Sequence, residues 1–144
     1  MMSVSNLRHD FVWNDRMRSV LALLIWFVAI TALSLGLAMV IKPDGVSLGL
    51  NVNMLSKTPF SNFLIPGLFL LFVIGGLHLV SIILGIVNHP QRYTLALFSG
   101  IVLVACTIAQ FLLLHSYNWL SGLYLVLGLL ISLISYQLIG KTLL

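Results

Sequence analysis

Few side chains in this chain of 144 residues are equipped for chemistry inside its long apolar stretches. His78 is the one imidazole well inside such a stretch, and at about 1.5 Å of rise per residue from the run ends Thr31, Ser99 and Ser132 come to a similar depth. These four residues, with Gln110 nearer the opposite end and level with Ser34 and Tyr124, are the expected buried polar cluster. An imidazole changes charge near neutral pH, so such a cluster can move protons or seat a ligand. The alternative is a neutral imidazole that hydrogen-bonds hydroxyls and holds helices in register. The second reading is preferred, because no Asp or Glu falls within any apolar stretch to act as partner or relay. Gln110 reads as interhelical glue, since an amide in lipid must find partners, and Cys106 as a small packing residue.

No cofactor site emerges from the same inventory. Haem held by two histidines needs opposed rings at one depth, whereas His78 lies in one half of the chain's apolar layer, His115 at the opposite boundary and His89 in a connection. Zinc needs clustered ligands, and none are spaced for it. Serine-hydrolase, phosphate-loop and dinucleotide motifs are absent from the sequence. The expectation is therefore no metal, no cofactor and no enzyme.

The elements that must position these residues are set by composition. Hydrophobic residues make up 60% of the chain and charged residues 7%, against roughly 25% charged in a soluble domain. Residues 20–41, 63–87, 93–114 and 120–140 form four apolar runs, each near the ~20 residues that cross a bilayer. The connections 88–92 and 115–119 are short enough to make their neighbours antiparallel. The expected fold is all-α: one polytopic membrane domain, an antiparallel bundle of four transmembrane helices with an ordered outer loop at 42–62. The tail, 1–19, carries Arg8, Arg16 and Arg18. It resembles the start of a signal peptide, but the apolar run behind it exceeds the usual ~7–15 residues, so an uncleaved anchor is preferred. Phe11, Val12 and Trp13 among those charges suggest a short interfacial helix on the inner surface.

Net charge is +4, scattered along the chain without a basic face, which argues against nucleic acid as a partner. Arg8, Arg16, Arg18, Arg92 and Lys141 fall on one side of the layer and Lys42 and Lys57 on the other. The excess predicts cytoplasmic termini. Tyr93, Tyr117 and Trp119 sit at run ends, where amphipathic rings favour the headgroup boundary.

Polar and small residues predict the inward faces. They are Gly67, Leu71, Ile74, His78, Ser81 and Gly85 in the second run, and Ser99, Leu103, Cys106 and Gln110 in the third. The fourth offers Ser121, Gly128, Ser132 and Ser135, and the first Thr31, Ser34 and Ala38, with Ala32 and Gly36 beside them.

The outer loop has its own signals. Val46, Leu48, Leu50, Val52 and Met54 alternate with period two, which predicts an extended segment; Pro43, Asp44 and Gly45 supply a turn before it. Thr58 and Pro59 read as the start of a helix. Pro66 then falls inside that helix, freeing the carbonyl of Asn62 and bending the axis.

The residues Pro43-Asp44-Gly45, Leu48-Gly49, Thr58-Pro59-Phe60 and the stretch from Phe63 through Pro66-Gly67 to Leu68 resemble a pattern in uncharacterised small bacterial four-helix membrane proteins. In that pattern an Asp-Pro-Ser-Gly-like turn, a Leu-Gly, a Ser/Thr-Pro-Phe and a Pro-Gly follow the first helix. The likeness covers residues 37–76, and Gln110 matches a glutamine there. It implies an architecture and a bacterial inner membrane, and no activity. The functional expectation is a structural or accessory membrane component, in contact with the lipid bilayer and with a homo-oligomer or larger membrane partner. A small-solute carrier or channel lined by His78, Gln110 and the serines is the alternative. A membrane enzyme using Asp44, Asn51, Asn53 and Lys57 on the outer face is the third reading.

Overall fold

The computed structural model describes residues 4–114 and 118–142. Helix α1 spans Val4–Ile41; α2, Leu64–Phe69, runs through a π-helical stretch, Leu70–Gly75, into α3, Gly76–Ile86; α4 spans Arg92–Leu114 and α5 Trp119–Thr142. Taking α2, the π stretch and α3 as one span, the chain has four helices long and apolar enough to cross a membrane. The fold is the expected all-α four-helix bundle, and among the described residues there is no strand. Each span packs on the next, and α5 closes the ring against α1.

The solvent for which this bundle is built can be read from its two surfaces. Inside, Val28, Ala32, Ile74, Leu103, Ile131 and Leu138 are almost wholly buried. Outside, Leu23, Phe27, Ile30, Phe72, Leu79 and Ile101 are exposed on all sides. An apolar surface of that extent is ruinous in water and natural against acyl chains.

With lipid as apolar as leucine, packing between spans must come from close backbone approach. A Cβ on Gly36 of α1 would lie 2.8 Å from the Leu71 nitrogen, and one on Gly67 would lie 2.6 Å from Met39 Cβ. On the opposite side, a Cβ on Gly100 of α4 would meet Ser132 Oγ at 2.6 Å, and one on Gly128 of α5 would meet Val104 at 2.8 Å. Glycine is required at both seams.

Three sequence expectations are corrected. The tail is no separate interfacial helix: α1 continues unbroken for 38 residues, about 57 Å, well beyond a hydrocarbon layer of about 30 Å. No Gly or Pro lies between Val4 and Ser34 to break it. Local bonds extend the same preference: Trp13 Nε1 donates to His9 Nδ1 at 2.7 Å, one turn away.

The outer loop is not extended. It forms two 3-10 turns, Val46–Leu48 and Val52–Leu55. Gly45 and Gly49 take φ of 74° and 66°, which only glycine adopts freely. Asp44 Oδ1 accepts from the Val46 amide at 3.2 Å, and Asn51 Oδ1 from the Asn53 amide at 3.0 Å. These Asx bonds offer the backbone an alternative to a strand and override the period-two pattern. Leu55 and Phe63 are buried. The Phe63 amide donates to the Pro43 carbonyl at 2.9 Å, tying the two ends of the loop together. A Cβ on Gly45 would lie 2.9 Å from the Phe63 ring, so this turn has no room for a side chain.

The second span does not start at Thr58 and Pro59. Thr58 Oγ1 donates to the Leu55 carbonyl at 2.9 Å and accepts from the Phe60 amide at 3.3 Å, closing a turn. Helix α2 starts at Leu64, whose amide is taken by Asn62 Oδ1 at 3.1 Å. Pro66 is thus in the first turn, where a missing N–H costs nothing and no kink follows. The irregularity lies instead at the π stretch, Leu70–Gly75.

At the other end of this span Asn88 takes a left-handed φ of 52°. The His89 amide reaches the Leu84 carbonyl at 2.9 Å and the Asn88 amide reaches Gly85 at 3.2 Å, the Schellman pattern of a helix end. Arg92 Nη1 donates to Asn88 Oδ1, and its guanidinium lies 4.7 Å from the centre of the Tyr93 ring. His115, Ser116 and Tyr117 of the second outer connection lie outside the described residues.

Candidate functional site

His78 has no exposed surface. It follows the π stretch, and its Nδ1 lies 2.8 Å from the carbonyl oxygen of Ile74, where the backbone ladder changes from π to α spacing. A carbonyl can only accept, so Nδ1 carries the ring proton. Nε2 is buried and has no partner among the described residues.

The hydroxyls expected around it are satisfied locally. Ser99 is fully buried and donates to the Ala96 carbonyl at 2.9 Å; Ser132, half-buried, donates to the Gly128 carbonyl at 2.8 Å. Thr31 is half-buried and donates to the Phe27 carbonyl at 2.8 Å. Among the described residues, His78, Ser99 and Ser132 are not bonded to one another. The sequence placed them at one depth; each helix then satisfied its own.

Thr31 does take part in a bond between spans. Tyr124 OH of α5 donates to Thr31 Oγ1 at 2.9 Å. Interhelical bonds of this kind contribute about 0.6 kcal/mol on average in membrane proteins. Tyr124 is 5% exposed, against 0% for Ser135, whose hydroxyl is buried without a partner. Thr107 is also buried, bonded to the Leu103 carbonyl at 2.7 Å. Tyr124 and Thr107 were missed as inward residues, yet the spacing carried a signal for Tyr124, three residues after Ser121 and four before Gly128.

Gln110 is a correction: it is exposed, not part of a buried cluster. Every described residue from Ile108 to Leu113 is exposed as well. Gln110 lies four residues from the helix end, about 6 Å along the axis, close enough for its amide to meet headgroups or water. Ser34 is exposed too, its hydroxyl bonded to the Ile30 carbonyl at 2.7 Å. The inward face of α1 is Leu21, Ile25, Val28, Ala29, Ala32 and Gly36, beside the predicted stripe.

The residues Pro43, Asp44, Gly45, Thr58, Phe60, Pro66 and Gly67 are all in turns, helix starts or close contacts, and Pro59 is exposed. Bundle and apolar exterior together define a multi-pass helical membrane protein. Comparison with family models, curated proteins and solved structures gave no match.

Proposed function

We propose that the chain is a structural or accessory component of a bacterial inner membrane, with both termini in the cytoplasm and no catalytic role. The observation that supports this most is the glycine packing: at Gly36, Gly67, Gly100 and Gly128 the spans approach until even a methyl group does not fit. A wet path between the spans of one protomer is hard to reconcile with that approach. The excess of Arg and Lys at the helix ends that carry the termini supports the orientation, and the resemblance of residues 37–76 to small bacterial membrane proteins supports the location.

Vesicles holding the purified chain are expected to keep a proton gradient as long as protein-free vesicles. Leakage that disappears in His78→Leu would replace this reading by the carrier alternative, for which the partnerless Nε2 of His78 is the one favouring observation. For the orientation, single cysteines at Asn53 and Thr142 in a Cys106→Ser background are the probe. A membrane-impermeant maleimide applied to intact cells is expected to label Asn53→Cys at once and Thr142→Cys only after lysis; the opposite order would invert the topology.

A further inference from the structure

A cleft of about 320 Å³ opens between α1, α3 and α4 at the end of the bundle where Arg18 and Arg92 lie. We propose that it seats one phospholipid with a net negative headgroup, its phosphate at the two arginines and an acyl chain along the apolar wall.

The cleft is amphipathic in the required direction. It is lined by Leu21, Ile25, Trp26, Ile82 and Ile86 and, towards the helix ends, by Arg18, Arg92 and Asn88. Both cations keep donors free. Among the described residues Arg18 has only a long contact of 3.9 Å to Asp15, with both side chains about half exposed. Arg92 uses one nitrogen on Asn88 and one face on Tyr93, which fixes the guanidinium at the rim and leaves other N–H groups to donate. A planar fork held in this way suits a phosphate better than a mobile ammonium does.

Charge and place agree on the occupant. The chain has three acidic residues, of which Asp44 lies in the outer loop; Asp15 is the near one, already offset by Arg18. A basic mouth between spans at headgroup level, above an apolar wall open to the bilayer, is the arrangement that selects anionic lipids. Gly85 lines the cleft, and a Cβ added to it would meet nothing within 4 Å. The space beside Gly85 is therefore empty of protein. The inference does not depend on which side of the membrane this end faces, nor on the accessory role proposed above.

The test measures lipid retained by the full-length chain purified in mild detergent and mixed with phosphatidylglycerol or phosphatidylcholine, read by native mass spectrometry. The wild type is expected to prefer phosphatidylglycerol by at least roughly fivefold per arginine, and Arg18→Gln with Arg92→Gln to lose that preference. Gly85→Leu fills the cleft without changing charge, and is expected to lose retention of phosphatidylglycerol while its helical circular dichroism and elution volume stay as in the wild type. Millimolar inorganic phosphate is expected not to displace the lipid. Equal retention of the two lipids by the wild type would overturn the proposal. So would a preference that survives in Gly85→Leu, which would mean diffuse surface charge, or displacement by phosphate, which would mean a site for a free anion. If the double arginine variant does not fold, the Gly85→Leu comparison decides alone.

Discussion

Gly36→Leu is expected to leave the chain inserted in the membrane but unable to close its bundle. A Cβ there would stand 2.8 Å from the nitrogen and 2.9 Å from the Cα of Leu71. Those are backbone atoms, which no rotamer change can move aside, so α1 and the second span must separate. Separation also breaks the neighbouring contact of Gly67 with Met39 and that of Gly75 with Leu33. Overpacking ordinarily costs about 1–3 kcal/mol; with a whole seam affected, a loss at or above the top of that range, about 3 kcal/mol, is expected. The midpoint of unfolding in mixed detergent with rising dodecyl sulfate is the measurement. Gly76→Ala provides the contrast, since a Cβ at Gly76 meets nothing within 4 Å. Alanine there is expected to stabilise by up to about 1 kcal/mol through helix propensity. A Gly36→Leu midpoint within error of the wild type would mean that the seam is not where the bundle is decided.

The second large effect concerns His78, and two substitutions are expected to diverge. His78→Ala leaves a hole at a site with no exposed surface, and losses of about 2–5 kcal/mol accompany such deletions of Leu-sized side chains. Part is offset because the alanine variant no longer buries a partnerless Nε2, so about 2–3 kcal/mol is expected, weighing the cavity against the ~1–3 kcal/mol of an unsatisfied group. His78→Leu keeps the volume and also removes that nitrogen. It is expected to unfold at or above the wild-type midpoint. A leucine variant as weak as the alanine one would show that the Nδ1 bond to the Ile74 carbonyl, at 2.8 Å, is what the site needs. The leucine variant is also the better probe of function, because it separates loss of the imidazole from loss of the fold.

The spans were legible in the sequence because lipid imposes one requirement, a long apolar run, that few other structures satisfy. Which face of each helix turns inward was less so, for a reason visible at Thr31 and Ser34. Polar residues predict an inward face, yet a hydroxyl on a helix can give its proton to the carbonyl one turn back, as Ser34 does to Ile30. Such a serine is nearly indifferent to facing lipid. The small residues Ala29, Ala32 and Gly36 are better guides, because only they permit the backbones to meet. Gln110 was misplaced by a different fault. It lies beyond Thr107, the last buried residue described in α4, and the spacing of the polar residues gives no sign of where that burial stops. In the outer loop, alternation of Val46, Leu48 and Leu50 suggested a strand, while Gly45, Gly49 and two Asx bonds decided the backbone locally. The cleft at Arg18 and Arg92 had no linear signature at all, since its walls come from three helices far apart in the chain.

The unbroken passage of α1 out of the bundle has a mechanical meaning. Its first sixteen helical residues, 4–19, extend about 24 Å with no joint at the membrane boundary. A tilt of the embedded part by ten degrees therefore swings the far tip by about 4 Å, by the geometry of a rigid rod of that length. Whatever grips the tip is thereby coupled to how the rod leans among the lipids, and bilayer thickness, which sets that lean, becomes something a neighbour outside the bilayer can feel.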